Sequence, residues 1–209
     1  MFVEVWETET KPKEILGVIQ TEQKSLEKDE YYIHYIKCKV NVFDYDETHT
    51  LDCEIEFSQH LEKHGKILHA SQMYDVRQRR IAFVFDTQPH VIYVFYFWPT
   101  GFAYFGEKEY YGDAANQVTG VAIERGKLFV VLEYGKRVDV FALEDIYNPT
   151  ERSPQAEPRL SINSRVMAFY NVKYFAPVGI KVSRYHPEFI FIKTKTGVMA
   201  VSVNDEYIP

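Results

Sequence analysis

The sequence predicts an all-β chain built from about four similar units of four strands each. Two observations carry this: a short apolar run, a turn and an alternating run recur four times along the chain, and helical periodicity is weak throughout. Composition agrees, with 46% of the 209 residues hydrophobic and 16% aromatic, the profile of a chain that buries a core. The length suits one substantial domain, since all-β architectures run to about 250 residues.

The clearest copy is "KLFVVLEYGKRVDVFALED" at 127–145. Phe129, Val130, Val131 and Leu132 form a continuous apolar run, as in a strand buried on both faces. "EYGKR" then turns, with Gly135 supporting the turn, and Val138 and Val140 belong to the returning strand. "VNVFDYDETHTLDCEIEF" (40–57), "IAFVFDTQPHVIYVFYF" (81–97) and "FIFIKTKTGVMAVSV" (189–203) repeat the plan. Their second strands begin at Leu51, Val91, Val138 and Val198, at separations of 40, 47 and 60 residues. The long last interval contains "EDIYNPTERSPQAEPR", whose prolines and polar residues mark an inserted loop at 144–159.

Each hairpin follows a candidate inner strand, in chain order "EILGVIQ", "QMYDV", "VTGVAIE" and "PVGIKVS". Candidate outer strands are "GFAYFGE" and "LSINSRVMAFY". Only "SQHLEKHGKIL" hints at a turn of helix, and Gly65 interrupts it. Four strands in a repeat of roughly 40 to 50 residues fit the blade of a β-propeller or partial propeller. Residues 1–209 are therefore expected to form a single propeller-like domain.

These blades resemble the β-propeller superfamily and, more loosely, its WD-repeat branch, in which the third strand of a blade commonly ends Val-x-Val-Trp-Asp. "VEVWE" at 3–7 comes nearest, and "VDVFA" at 138–142 keeps the pattern with Phe141 in the Trp position. "IYVFY" and "MAVSV" are weaker echoes. The resemblance implies a ring, closed in one of two ways. Either "FVEVWET" at 2–8 supplies the outer strand of the last blade, or another segment or chain completes a larger ring. It also implies a rigid frame whose loops are free to bind.

Chemistry-bearing motifs are sparse. His60 and His64 stand at the i, i+4 spacing that places two imidazoles on one helical face, with His69 beyond. No HExxH and no cysteine pair accompanies them, so a polar connection without metal or cofactor is the expected reading. Asp75, Asp86, Asp113 and Asp139 are the acids for a glycoside-hydrolysing or sugar-binding alternative, with Trp6 or Trp98 as stacking faces. Ser71, Ser164 and Ser183 sit in no triad context, and no phosphate-binding or dinucleotide fingerprint appears. A hairpin centred on 46–50 puts Phe43 opposite Cys53, which predicts that Cys38 and Cys53 remain unpaired thiols in a reducing compartment. The N-terminal stretch has no leader-like h-region, and no apolar run approaches the roughly 20 residues of a membrane span. An intracellular chain, cytoplasmic or nuclear, is expected.

A net charge of -6 gives no general attraction to nucleic acid or anionic membrane. Arg77, Arg79 and Arg80 in "VRQRR" form a local basic turn that could meet phosphate or an acidic protein. "VIYVFYFWPTGFAYFGEKEYY" at 91–111 carries aromatic residues on both strand faces, expected to be buried between blades. Its exposed members, Trp98, Phe102, Tyr110 and Tyr111, are the expected partner-binding residues together with the three arginines. The function these features favour is a non-catalytic scaffold mediating protein–protein interaction within a larger assembly.

Overall fold

The computed structural model describes residues 3–7, 14–24, 29–42, 49–61, 64–74, 79–98, 100–111, 114–147, 156–168, 175–182 and 189–202. Their strands form four antiparallel sheets, each made from strands consecutive in the chain. The first holds β1 (Val3–Glu7), β2 (Glu14–Lys24), β3 (Asp29–Val42) and β4 (His49–His60). The second holds β5 (Ile67–Tyr74), β6 (Arg79–Phe85), β7 (Gln88–Trp98) and β8 (Gly101–Glu109). The third runs from β9 (Gly120–Glu124) through β10 (Lys127–Leu132) and β11 (Arg137–Ala142) to β12 (Leu160–Asn163). The last has β13 (Pro177–Val182), β14 (Phe189–Thr194) and β15 (Gly197–Ser202). Two short helices, α1 (Leu143–Ile146) and α2 (Ser164–Ala168), flank β11 and β12. The chain is all-β, and its successive meandering sheets of three or four strands are those of a partial propeller. Among the described residues no helix is long and apolar enough to cross a membrane.

The chain divides into two compact units. The first comprises Met1–Ile67 with Phe97–Phe102. Here Val18, Ile33, Tyr35 and Cys38 are buried, and the Tyr35 and Phe97 rings meet at 6.3 Å. Oppositely charged residues face one another across β3 and β4, Lys37 opposite Glu54 and Lys39 opposite Asp52, a pattern that favours this register. The buried Gln20 amide donates to the Gly65 carbonyl at 2.9 Å and accepts from the Ile67 N–H at 2.8 Å.

The second unit comprises Leu68–Tyr96 and Ala103–Pro209. Its architecture follows from β10. Leu128, Val130 and Leu132 pack in one core with Ala82, Val84, Ile92 and Val94 of β6 and β7. Phe129 and Val131 point the other way, into a core with Ile180, Ile190 and Ile192 of the last sheet. Side chains alternate across a strand, so a strand buried on both faces must be apolar at every position. The turn before it, Arg125-Gly126, has φ of 47° and 72°, the two positive values of a tight hairpin turn. At Gly135 a Cβ would lie 2.8 Å from the Ala115 carbonyl oxygen, so only glycine fits the approach.

Four expectations change. β1 pairs with β2, Val3 opposite Ile19 through Glu7 opposite Ile15, so the described part of "FVEVWET" does not complete the last blade; neighbours in sequence pair most readily. Consequently the β3–β4 hairpin is the outer pair of its sheet, whereas β6–β7 and β10–β11 are middle pairs, and the interval counted from Leu51 compares unlike strands. "LSINSRVMAFY" is a strand only to Asn163, whose side-chain oxygen accepts the Arg165 N–H at 3.0 Å and caps α2. Cys38 and Cys53 are directly opposite and form a disulfide, with Cα atoms 4.0 Å apart. Val42 pairs with His49, centring the hairpin earlier than the 46–50 turn supposed. The pairing removes the cysteine argument for a reducing compartment.

Two measurements check this core and crosslink. Alkylation under denaturing conditions should label neither cysteine without reductant and both after reduction; labelling without reductant would refute the pairing. Phe129→Ala should destabilise the second unit by about 3 to 5 kcal/mol in urea unfolding, the usual cost of deleting a buried phenyl ring.

Candidate functional site

The face of the second sheet that packs on the third carries Ala82 and Val84 from β6, Ile92 and Val94 from β7 and Phe105 from β8. Moving two residues along that face brings Arg80 on β6 and Tyr96 on β7, which stand directly opposite each other. Here the apolar core gives way to an open pocket of about 390 Å³, lined by Arg80, Tyr96, Phe105, Gly126, Leu143, Glu144 and Tyr147. The aromatic rings form a row: Tyr96 meets Phe105 edge-on at 5.1 Å, and Phe105 meets Tyr147 at 5.1 Å. The Arg80 guanidinium lies 4.5 Å from the Phe105 ring centre and 5.4 Å from that of Tyr96. Such placement is favourable for a cation. The Arg80 Nε–H is buried and has no hydrogen-bond acceptor among the described residues.

The far wall comes from the start of the inserted loop. The Leu143 N–H donates to the Gly126 carbonyl at 2.7 Å, and Tyr147 pairs with Gly106 of β8. Arg159 closes the loop base, donating from Nε to Asp145 at 2.8 Å and from Nη2 to Glu144 at 2.8 Å and to Asp145 at 3.0 Å. Hydrogen bonding from Arg159 holds the Asp145 carboxyl below its usual range. The returning end of the loop is tied down as well, because Lys108 donates to the Ala156 carbonyl at 2.8 Å. Burial lowers the Lys108 pKa, while Glu157, Asp139 and Glu109 oppose that shift.

A second polar group lies within the core of the same unit. Asp139 is buried on β11 and accepts from Arg137 Nε at 3.1 Å, the Tyr110 hydroxyl at 3.1 Å and the Ser161 hydroxyl at 2.6 Å. Arg137 also donates to the Asn116 side chain at 3.0 Å. Three donors on a carboxylate satisfy most of its capacity. Burial first, then the Asp139 charge, pushes the Tyr110 hydroxyl well above the usual tyrosine pKa. This is a structural network, with Asp139 bonded by its own neighbours.

The other sequence candidates scatter. Tyr110 is buried against Phe141 and is not part of a presented patch. Tyr111, in the same unit, is 62% exposed. Trp98, at 47%, and the half-buried Phe102 belong to the first unit, where Phe102 contacts the Phe57 and Phe97 rings. Arg79 is half-buried at the start of β6, and Arg77 lies outside the described residues. Asp75, Asp113 and Ser183 also lie outside them, as does the Trp6 side chain. Asp86 is exposed in the β6–β7 turn. Ser71 accepts the Ile123 N–H, and Ser164 opens α2.

His60 ends β4 and stacks on Tyr32 at 4.9 Å, and His64 follows in a connection whose described residues are not helical. His69 lies on β5, its pKa lowered by burial. Among the described residues no group of three metal-ligating side chains forms.

Tyr96 and Phe105 lie in the aromatic stretch and Tyr147 in the inserted loop, both evident in the sequence, but none of the three stands out there individually. The signal for the first was parity, since Tyr96 shares the face of Ile92 and Val94.

No family model and no curated protein matches the sequence. Solved structures that resemble it include the BBS1N chain from a mercury-soaked crystal of its complex with ARL6DN, at 10% identity and a TM-score of 0.43, covering 99% of this chain. This chain spans 66% of that chain's length. A second is the glutaminyl cyclase of Myxococcus xanthus, at 13% identity and a TM-score of 0.31, with 82% of this chain and 88% of that one covered.

Tyr110→Phe tests the Asp139 network. Removing one donor from a buried carboxylate should cost about 1 to 3 kcal/mol near neutral pH. Because the folded state holds the Tyr110 proton more tightly than the unfolded chain, its contribution is complete below about pH 10 and is lost as pH rises further. Urea unfolding across that range should show a smaller alkaline loss of stability in the variant than in the wild type.

Proposed function

We propose that this chain is a non-catalytic propeller-type scaffold that binds a protein partner at the rim pocket of its second unit. The observation that carries the reading is convergence. The basic stretch supplies Arg80, on β6 rather than in a turn, the aromatic stretch supplies Tyr96 and Phe105, and the inserted loop supplies Glu144 and Tyr147, all in one open pocket. A rigid two-sided core behind the pocket fixes these groups, which lowers the entropy lost on binding. Tyrosine and arginine are the side chains most enriched among energetically dominant interface residues, and Tyr147 is 50% exposed.

The same proposal includes a divergent WD-repeat-like origin, supported by "VDVFA" on β11, the third strand of its sheet in chain order. It includes completion of the ring by another segment or chain, supported by the three-stranded last sheet among the described residues.

Photo-crosslinking tests the surface. A benzophenone side chain at Tyr147 should give a discrete protein adduct in cells, whereas one at Tyr134, exposed on the β10–β11 turn, should not. Equal capture from both positions, or none from Tyr147, would remove this pocket as the interface.

A further inference from the structure

We infer that the rim pocket is a carboxylate subsite, taking an Asp or Glu side chain that neighbours an apolar residue in a segment of the protein partner. The inference rests on the scaffold reading above and names what that partner presents. Arg80 decides the chemistry. Its guanidinium carbon lies 4.5 Å from the Phe105 ring centre and 5.4 Å from that of Tyr96, and its buried Nε–H has no acceptor among the described residues. A desolvated donor without an acceptor is costly, and the matching group for the edge of a guanidinium is a carboxylate held by two parallel hydrogen bonds.

The remaining lining separates a carboxylate from other anions. Glu144 contributes to the wall, with Arg159 as its ion-pair partner at 2.8 Å. Its negative charge opposes a doubly charged phosphate more strongly than a singly charged carboxylate. Phe105, Tyr96 and Leu143 supply an apolar floor, so the acid must come with an apolar neighbour to cover it. About 390 Å³ accommodates such a side-chain pair.

Random heptapeptides displayed against the whole chain, with counter-selection on Arg80→Gln, provide the test. Selected peptides should carry Asp or Glu beside an apolar residue and should shift the Arg80 Nε–H resonance on titration. Changing that acid to its amide, or Arg80 to Lys, should weaken binding about tenfold or more, since a hydrogen bond to a charged group is lost. Thermal melting shows whether Arg80→Lys and Arg80→Gln remain folded, and Tyr147→Ser provides a second variant, on an exposed ring, that should also weaken binding.

Failure to select peptides that prefer the wild type overturns the inference. So does an amide peptide that binds as well as the acid, or a phosphoserine counterpart that binds more tightly. Crosslinking from Tyr147 in the Arg80→Gln background separates the two readings: an adduct that persists there leaves the scaffold standing without the carboxylate, and absence of an adduct in the wild type as well removes both.

Discussion

The second unit depends on burial of both faces of β10. Phe129 and Val131 enter one core and Leu128, Val130 and Leu132 the other, so the third sheet serves as the wall of two interfaces at once. An antiparallel sheet with one wet face tolerates polar residues at alternate positions; this one does not. The single buried carboxylate on the neighbouring strand shows what departure from that rule entails, for Asp139 is met by Arg137, Tyr110 and Ser161. An uncompensated charge there would cost far more than any one apolar contact returns.

The pocket is where that constraint ends. On β6 the face that holds Val84 and Ala82 continues to Arg80, and on β7 the face that holds Ile92 and Val94 continues to Tyr96. A long side chain with an apolar stem and a charged head suits this boundary, because it covers the last of the core while its head reaches the opening. The inserted loop adds Glu144 and Tyr147 without disturbing the sheets, since α1 and the Arg159 ion pairs fix its two ends. Exposed ion pairs contribute little stability, so their service is geometric.

How much of this was legible in the sequence follows from the range of the interaction involved. The run Phe129 to Leu132 declared a doubly buried strand because alternation is a local property. The β3–β4 hairpin was misplaced because "DYDETHT" offers several turn residues, and a shift in its centre changes every partner, Cys38 and Cys53 included. Asn163 capping α2 was local but hidden inside an alternating apolar stretch. The pocket was visible only in parts: the arginine turn, the aromatic stretch and the inserted loop were each evident, while their convergence depends on pairings between distant strands. Tyr110 was mistaken for surface because its ring completes a core whose other half lies on β11.

Three arginines of the second unit show why the pocket stands apart from the rest of its polar chemistry. Arg137 meets a buried carboxylate, and its charge is absorbed within the core. Arg159 meets two exposed carboxylates and spends its donors closing a loop. Arg80 meets rings. An aromatic face stabilises the positive charge but takes none of the in-plane N–H donors, and the buried Arg80 Nε–H has no acceptor among the described residues. Where a core needs only to neutralise a guanidinium, a carboxylate neighbour suffices. On the proposed reading, a guanidinium held over Phe105 at the mouth of an open pocket is the group that meets a second molecule.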